Sequence, residues 1–253
     1  MRALLAPLLF FALAGASPAS SDYYWYSASD DAKPRPWAIL FPRAAGIGKL
    51  QSGNQYVELA RLLNANGIDA LVIDYDRAAK KIGAKGNTGE QLAAIARDAL
   101  SEYRSGGRMD MRCPGVAVGW SRGGEGALTL ASAAEAGATG IKAAIVYYPS
   151  VRGQPKPYPQ LHPILALQGT SDKLAPHENL QKLADSRADK TLTFQIELYT
   201  GAGHRFDLAR PIENPGSTET PKDYVPAAAE AARQSIVTFL NAQGIAGSSC
   251  GLD

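Results

Sequence analysis

Short runs of apolar residues alternate along the chain with segments in which apolar residues recur at helical spacing. The apolar runs are mostly continuous, which is typical of strands that are buried on both faces. The segments between them have the periodicity of amphipathic helices. The pattern predicts strands at residues 37–41, 69–74, 115–120, 143–148, 164–168 and 192–199. It predicts helices at residues 54–65, 88–103, 122–136, 175–184 and 227–241.

The alternation of strand and helix indicates the α/β class. Strands buried on both faces, with helices between them, predict a mostly parallel central sheet with helices on both faces. The chain has no internal repeat, and its loops rich in proline and glycine, at residues 149–163 and 211–221, are too short to be domains. We therefore expect a single α/β domain over residues 20–253, without a large cap domain.

The first residues of the chain differ from the rest. Met1 and Arg2 are followed by an apolar run over residues 3–16, and small residues come next. One positive charge, a short apolar core and an A-x-A-like end are typical of a secretory signal peptide. A membrane anchor is the alternative, but the run is shorter than the roughly 20 residues that span a bilayer. The pattern predicts a signal peptide at residues 1–19 and an exported protein, periplasmic or secreted, with no stable membrane span after cleavage.

The net charge and the absence of certain motifs indicate which ligands are not expected. The formal net charge is +2, and the sequence has no basic block that would neutralise phosphates, so nucleic acid is not an expected partner. Neither G-x-G-x-x-G nor G-x-x-x-x-G-K-[ST] occurs in the chain. No set of His, Asp and Glu residues stands at metal-ligand spacing. We therefore expect no cofactor and no metal.

The stretch GWSRG at residues 119–123 fits the pattern G-x-S-x-G. It follows a predicted strand and precedes a predicted helix, so the chain must turn sharply at Ser121. Such a turn requires minimal flanking side chains and leaves the serine strained, with its hydroxyl exposed. The helix that follows directs its first amides at that hydroxyl. The alternative interpretation is a glycine-rich turn with an idle serine.

A serine nucleophile needs a base, and the base needs an acid to orient it. Of the three histidines, His162 precedes a predicted strand and so belongs to the opposite edge of the sheet. His177 lies in the first turn of a predicted helix, which indicates a surface position. His204 follows the last predicted strand in a loop with glycines, at the carboxyl edge where open parallel sheets bind ligands. His204 is therefore the predicted base.

The acid is expected from another strand end, between serine and histidine in chain order. Asp172 meets this condition, because it lies four residues past the predicted strand 164–168. Its alternative role is a turn or a helix cap. Asp207 is a poorer candidate, because it is only three residues from His204. The predicted catalytic triad is Ser121, Asp172 and His204.

An oxyanion hole of this kind combines the amide after the nucleophile with one from the loop after the first core strand. The first amide is that of Arg122. In the other loop Pro42 has no N–H, so the donor is Arg43 or Ala44. The arginines at 43, 122 and 205 favour an acidic substrate if their side chains face the cleft, and have no such effect if they face solvent.

Three segments of the chain resemble the dienelactone hydrolase family of α/β-hydrolases. They are GWSRGG at the turn, LQGTSDKLAP around Asp172 and YTGAGHRFD around His204. The resemblance covers nearly all of the mature chain and implies the α/β-hydrolase fold, the triad roles, and Ala44 as the second oxyanion donor. The founding members use a cysteine nucleophile and the family is mostly cytoplasmic, whereas this chain has Ser121 and an export pattern. A general carboxylic ester is therefore the implied substrate, rather than dienelactone.

The chain has two cysteines, and the implied fold relates them to each other. Cys113 precedes the strand that leads to Ser121, at the edge away from the site. The last helix should run back towards that edge, and Cys250 follows it. Because an oxidising compartment allows disulfides, we expect Cys113 and Cys250 to be bonded; two unrelated thiols are the alternative.

Taken together, these residues predict a serine hydrolase that cleaves a small-molecule carboxylic ester through an acyl-enzyme. A peptidase or an acyltransferase could use the same triad, although no added propeller or cap domain is present to select peptides. A non-catalytic exported binding protein on this fold is a further alternative. The complete triad argues against that alternative, because binding does not require all three residues.

Overall fold

A sheet with helices against both faces forms the part of the chain that the computed structural model describes. The described residues are 17–20, 23–26, 28–29, 33–75, 78, 88–133, 139–209, 221–247 and 250. The strands are β1 Ser17–Ser20, β2 Tyr23–Tyr26, β3 Trp37–Phe41, β4 Asp69–Ile73, β5 Gly115–Trp120, β6 Ile141–Tyr147, β7 Ile164–Gly169 and β8 Phe194–Tyr199. The helices are α1 Gln55–Ala65, α2 Thr88–Ser105, α3 Arg122–Ser132, α4 His177–Asp185 and α5 Pro226–Ala242.

The eight strands follow the spatial order β1-β2-β4-β3-β5-β6-β7-β8. Neighbours from β4 through β8 are parallel, whereas β2 is antiparallel to β4 and β1 is antiparallel to β2. The carboxyl ends of the parallel strands therefore share one edge of the sheet, which is where such sheets place their ligands. This topology confirms the predicted α/β class with a mostly parallel sheet.

Successive residues of the central strands pack into different cores. In β3, Trp37, Ile39 and Phe41 pack with residues of α2 and α3, whereas Ala38 and Leu40 pack with residues of α1 and α5. All five side chains are fully buried. Burial on both faces explains why the strands have continuous apolar sequences instead of alternating ones.

The predicted strands and helices agree with the structure to within two residues at each end, apart from one helix. That helix, predicted over residues 122–136, ends at Ser132, and residues 134–136 lie outside the described part of the chain. Strands β1 and β2 were not predicted. Strand β1 overlaps the predicted signal peptide, of which residues 1–16 lie outside the described part. Because β1 stands at the end of the strand order beside β2, cleavage within it would leave the other strand pairs intact.

The amino end of β5 is joined to the end of the chain. Cys113 and Cys250 form a disulfide with their Cα atoms 4.6 Å apart, and both residues are buried. This is the pair that the sequence led us to expect, at the sheet edge opposite Ser121. Within the described residues, no helix has the length and the apolar character that crossing a membrane requires.

Candidate active site

The turn between β5 and α3 forces Ser121 into an unusual backbone conformation. Its φ is 52° and its ψ is −114°, a region that residues other than glycine rarely adopt. The flanking glycines explain how the turn closes. A Cβ on Gly119 would lie 2.3 Å from the carbonyl oxygen of Gly123, and a Cβ on Gly123 would lie 2.1 Å from the carbonyl oxygen of Phe41. Neither position tolerates a side chain, so the G-x-S-x-G pattern is a steric requirement of this turn.

Three strand ends bring Ser121, His204 and Asp172 together. Ser121 Oγ lies 3.0 Å from His204 Nε2, and His204 Nδ1 lies 2.7 Å from Asp172 Oδ2. The Asp172 side chain is fully buried and that of His204 is 10% exposed. An ionised carboxylate only accepts hydrogen bonds, so the imidazole carries its proton on Nδ1 and leaves Nε2 to accept from the serine hydroxyl.

Asp172 is held by four hydrogen bonds. Its Oδ1 accepts from the amides of Leu174 (2.8 Å) and Ala175 (2.9 Å), and its Oδ2 accepts from Gln168 Nε2 (3.1 Å) as well as from His204. Burial raises the pKa of Asp172, but the hydrogen bonds from His204, Ala175 and Leu174 outweigh it, so the pKa lies below its ordinary value. The carboxylate therefore stays ionised and fixes the orientation of the imidazole.

The other two histidines lie away from this site. His162 precedes β7 at its amino end, where burial and the charge of Lys142 lower its pKa. His177 is the first residue of α4, and its ring is 3.6 Å from the carboxylate of Glu178. The structure places both as the sequence indicated, at the far edge and at a helix start.

The backbone amides expected at an oxyanion hole differ in whether they already donate a hydrogen bond within the protein. The N–H of Arg43 donates to the hydroxyl of Tyr56 at 3.0 Å, so it is not free for a substrate. The N–H of Ala44 has no partner among the described residues. Arg122 begins α3, where the first amides of a helix have no partner within the helix. Of the two candidates that the sequence left open, Ala44 is thus the available one.

Two tyrosine hydroxyls hold the loop that carries Ala44. Tyr56 accepts from the N–H of Arg43, as above, and Tyr75 donates to its carbonyl oxygen. Burial raises the pKa of Tyr56 far above its ordinary value, so its hydroxyl stays protonated. Sequence reasoning missed both tyrosines, because their contacts with the loop depend on the tertiary fold.

The three arginines near the site do not form a common cationic cleft. Arg205 pairs with Asp223 at 2.9 Å, so its charge is largely compensated. The guanidinium of Arg122 lies over the Tyr75 ring, 5.5 Å from its centroid. Arg43 is 7% exposed. An acidic substrate therefore finds less positive charge here than the sequence alone suggested.

An aromatic cluster underlies the site, and sequence reasoning missed its polar partner. Trp120 stacks on Tyr147 (centroids 5.2 Å apart), and the Tyr148 ring lies 4.5 Å from the His204 ring. All three of these side chains, Trp120, Tyr147 and Tyr148, are buried. Asp207 accepts hydrogen bonds from Trp120 and Tyr148, not from His204. A buried indole N–H directly before the serine was the signal that an acceptor had to exist.

The fold and the geometry together define the class. A sheet in the order 1-2-4-3-5-6-7-8, with a serine at the β5–α3 turn and a histidine and an aspartate at later strand ends, is the α/β-hydrolase arrangement. Among the described residues, no group of three or more His, Cys, Asp or Glu could hold a metal ion.

The chain belongs to the dienelactone hydrolase family, a family of hydrolases, whose model matches residues 70–244. This match confirms the resemblance found in the sequence. No curated protein sequence matches the chain significantly.

Solved structures show the same fold at low sequence identity. Thermogutta terrifontis esterase 2 phosphoramylated by tabun is 20% identical, with a TM-score of 0.65 over 89% of this chain and 90% of that one. The butyrate-bound form of that esterase is also 20% identical, with a TM-score of 0.62 over 89% and 90%. A dienelactone hydrolase-like promiscuous phosphotriesterase from metagenomic libraries is 19% identical, with a TM-score of 0.66 over 90% and 95%.

Proposed function

We propose that the protein is a serine hydrolase that cleaves a small carboxylic ester through an acyl-enzyme. The observation that carries the proposal is the hydrogen-bonded chain from Ser121 Oγ through His204 to Asp172, with distances of 3.0 and 2.7 Å. A serine hydroxyl is a weak nucleophile by itself, and this chain supplies the base that activates it. Membership of a hydrolase family supports the same chemistry.

The first half of the reaction forms the acyl-enzyme. His204 Nε2 takes the proton of the Ser121 hydroxyl as Oγ attacks the ester carbonyl. The amides of Arg122 and Ala44 stabilise the negative charge that develops on the carbonyl oxygen. Asp172, whose lowered pKa keeps it ionised, stabilises the imidazolium. The imidazolium then gives its proton to the leaving alcohol, and the acyl group stays on Ser121.

The second half repeats the chemistry with water. His204 Nε2 takes a proton from a water molecule, which attacks the acyl carbonyl at the same oxyanion hole. Collapse of the tetrahedral intermediate releases the acid and returns the proton to Ser121. No step needs a group beyond the triad, the two amides and water.

The substrate class rests on the family and on structural relatives. The Thermogutta esterase has been solved with propionate bound and with butyrate bound. We therefore choose short-chain esters as first substrates. A general ester also agrees with Ser121 standing where founding family members have cysteine.

A chromogenic butyrate ester and a serine-directed phosphonate test the proposal together. We expect turnover by the wild type and a single phosphonate adduct on Ser121, found by mass spectrometry. The variant Ser121→Ala should lose about 10⁴-fold or more in kcat, because the nucleophile is gone. It should form no adduct. Ser101→Ala is the matched control, since Ser101 is an exposed serine on α2, and it should behave like the wild type.

A folded wild type that shows neither turnover nor an adduct would contradict the proposal. A non-catalytic binding protein would then be the better interpretation. Turnover of a matched anilide as fast as of the ester would instead indicate a peptidase. Transfer of the acyl group to added alcohols in preference to water would indicate an acyltransferase.

We propose further that the protein is exported, to the periplasm or beyond. The residues 1–19 have the signal-peptide pattern, and the disulfide between Cys113 and Cys250 is of a kind that persists in oxidising compartments. Cell fractionation with intact-mass measurement tests this. We expect the exported protein to begin after residue 16 or 19. An uncleaved chain in the cytoplasmic fraction would contradict it.

A further inference from the structure

The carboxylate of Asp207 is a polar group beside the site that the proposed reaction does not use. It lies three residues after His204 on the same loop. Its Oδ1 accepts from the Tyr148 hydroxyl at 2.6 Å, and its Oδ2 accepts from Trp120 Nε1 at 2.8 Å. Both oxygens therefore accept hydrogen bonds from side chains in other parts of the chain.

The two donors belong to elements that carry the site. Trp120 is the last residue of β5 and directly precedes Ser121, whereas Tyr148 follows the end of β6. The Tyr148 ring lies against the His204 imidazole, with centroids 4.5 Å apart and planes inclined by 53°. One carboxylate thus connects the nucleophile strand, the end of β6 and the loop of the base.

The Tyr148 backbone shows that this arrangement is imposed by its surroundings. Its φ is 37°, which is strained for a bulky residue and persists only where neighbouring contacts determine it. Its N–H donates to the carbonyl of Leu167 at 2.9 Å. Among the described residues, Asp207 is the one hydrogen-bond partner of its hydroxyl. The ring also packs against Phe206, and the bond to Asp207 fixes its hydroxyl end.

The electrostatic surroundings favour these two hydrogen bonds. Burial raises the pKa of Tyr148 well above its ordinary value, so the phenol stays protonated and donates. Burial also raises the pKa of Asp207, and the bonds from Tyr148 and Trp120 and the nearby charge of Arg43 only partly oppose this. Buried groups of this kind are costly when unpartnered, so loss of either donor or acceptor disturbs the whole arrangement.

We propose that Asp207 is a positioning residue that holds the Tyr148 ring against His204 and so keeps His204 Nε2 aligned with Ser121 Oγ. Asp172 orients the imidazole through Nδ1, at its edge, whereas Asp207 acts on its face through Tyr148. The inference rests on the proposed function, because it assigns a role in the alignment of that same base. Asp207 itself touches neither a reacting atom nor a nitrogen of His204.

Three variants separate positioning from stability. Asp207→Ala removes both acceptors. Asparagine would not serve, because its amide oxygen can accept from Trp120 while its NH2 donates to the Tyr148 hydroxyl. Tyr148→Phe keeps an aromatic ring at this position and removes the hydroxyl through which Asp207 holds it. Tyr158→Phe is the matched control, because Tyr158 is also a fully buried tyrosine, and its hydroxyl donates to the carbonyl of Leu128 at 2.9 Å, away from the site.

The measurements are kcat and KM on the chromogenic ester and the rate of phosphonate labelling at Ser121. We expect Asp207→Ala to lower kcat by about 10- to 100-fold with KM changed less than about twofold, because misalignment by about 1 Å has effects of that size. Labelling should slow in parallel. Tyr148→Phe should have a smaller effect in the same direction, and the double variant should be no worse than Asp207→Ala, because both changes remove the same hydrogen bond between Tyr148 and Asp207. Tyr158→Phe should keep its kcat despite losing a comparable hydrogen bond.

Each outcome has a distinct meaning. Wild-type kcat and labelling in folded Asp207→Ala would overturn the inference while leaving the proposed hydrolase intact. If Asp207→Ala does not fold, Tyr148→Phe decides, and an unchanged kcat in that variant overturns the inference. A kcat lowered equally by Tyr158→Phe would mean that a general loss of stability is responsible, which also overturns it. Absence of labelling in the wild type would instead refute the proposed function itself.

Discussion

At its carboxyl end strand β5 leads into a strained turn at Ser121, whereas at its amino end it begins two residues after a cysteine bonded to Cys250. The two ends differ in what fixes them. At the carboxyl end, backbone atoms crowd so closely that Gly119 and Gly123 tolerate no side chain. At the amino end, a covalent bond and the indole of Trp37 fix the strand, and a Cβ on Gly115 would lie 2.3 Å from that indole. The backbone is thus strained where β5 leads into Ser121, whereas a disulfide and the contact with Trp37 hold the amino end of the strand.

This contrast has a physical reason. A nucleophile must be exposed and aligned, which requires a backbone conformation that costs about 1–3 kcal/mol. That cost must be offset by structure elsewhere. The disulfide, the buried strands on both sides of β5 and the helices on both faces provide a rigid base for the turn. The comparison predicts that changes at the two ends affect different properties.

The largest effect is expected at Ser121 itself. Ser121→Gly should abolish turnover as completely as Ser121→Ala, by about 10⁴-fold or more. It should also raise the free energy of unfolding by about 1 kcal/mol, because glycine adopts this backbone conformation without strain. Chemical denaturation of both variants measures this. Ser121→Ala keeps the strained backbone conformation and serves as the control. If Ser121→Gly were less stable than Ser121→Ala, the backbone at residue 121 would not be strained.

The next largest effect belongs to the disulfide. The bond closes a loop with a sequence separation of 137. Loop-closure entropy then predicts that replacing both cysteines by serine lowers the free energy of unfolding by about 4–5 kcal/mol. Below the unfolding transition, kcat should change little, since the bond lies at the edge away from Ser121. Urea denaturation and ester turnover of the double variant test both statements. A kcat that falls tenfold while the protein remains folded would show that the two ends are not independent.

Replacing each of the two glycines of β5 by alanine, one at a time, sharpens the comparison between the two ends of the strand. Gly115→Ala should lower the free energy of unfolding by about 1–3 kcal/mol, as overpacking against Trp37 does, and keep kcat. Gly119→Ala has a similar steric conflict, but with the backbone of the turn, so it should also displace Ser121 and lower kcat by about 100-fold. Denaturation and turnover are measured on the same preparations. Equal kcat values in the two variants would contradict a functional difference between the ends.

Much of this architecture could be predicted from the sequence because its causes are local. Continuous apolar runs identify buried parallel strands, and the steric needs of a tight turn dictate the glycines around Ser121. Chain order and strand ends were enough to select His204 over His162 and to prefer Asp172 over Asp207. The structure brings these three residues together at hydrogen-bond distances.

What could not be predicted depends on contacts between distant segments. The residues by themselves left Arg43 and Ala44 open as oxyanion donors, and only the family resemblance implied Ala44. The contact between Tyr56 and Arg43 supplies the physical reason to prefer Ala44. Asp207 was weighed only as an acid for His204, because its partners Trp120 and Tyr148 are 87 and 59 residues away in the chain. Strands β1 and β2 were missed for two reasons. Strand β1 overlaps the predicted signal peptide, and neither strand is longer than four residues.

The smallest effect is a dependence of stability on pH that arises at the carboxyl edge. The pKa of Asp172 is lowered in the folded protein, so its carboxylate stabilises the fold above the unfolded value of about 3.9. This contribution disappears as the pH falls through the folded pKa. The pKa of Asp207 is raised, so ionisation of Asp207 lowers the stability as the pH rises from the unfolded towards the folded pKa. The two carboxyl groups therefore change the free energy of unfolding in opposite directions as the pH rises.

Melting temperatures between about pH 3 and 7 separate the two groups. The difference between wild type and Asp172→Asn should be largest near neutral pH. It should shrink as the pH falls below about 4, because the unfolded chain then binds a proton at Asp172 that the folded protein, with its lowered pKa, does not yet bind. For Asp207→Asn, the pH-dependent part of the difference should have the opposite sign, since asparagine removes the penalty of ionising a buried carboxyl. Cys113→Ser with Cys250→Ser is the control from the other end of β5. Its melting curve should shift by a nearly constant amount across this range, since a disulfide does not titrate. If the melting temperatures of wild type and Asp172→Asn changed in parallel with pH, the pH dependence would originate elsewhere. The two edges of the sheet would then not differ in their response to pH.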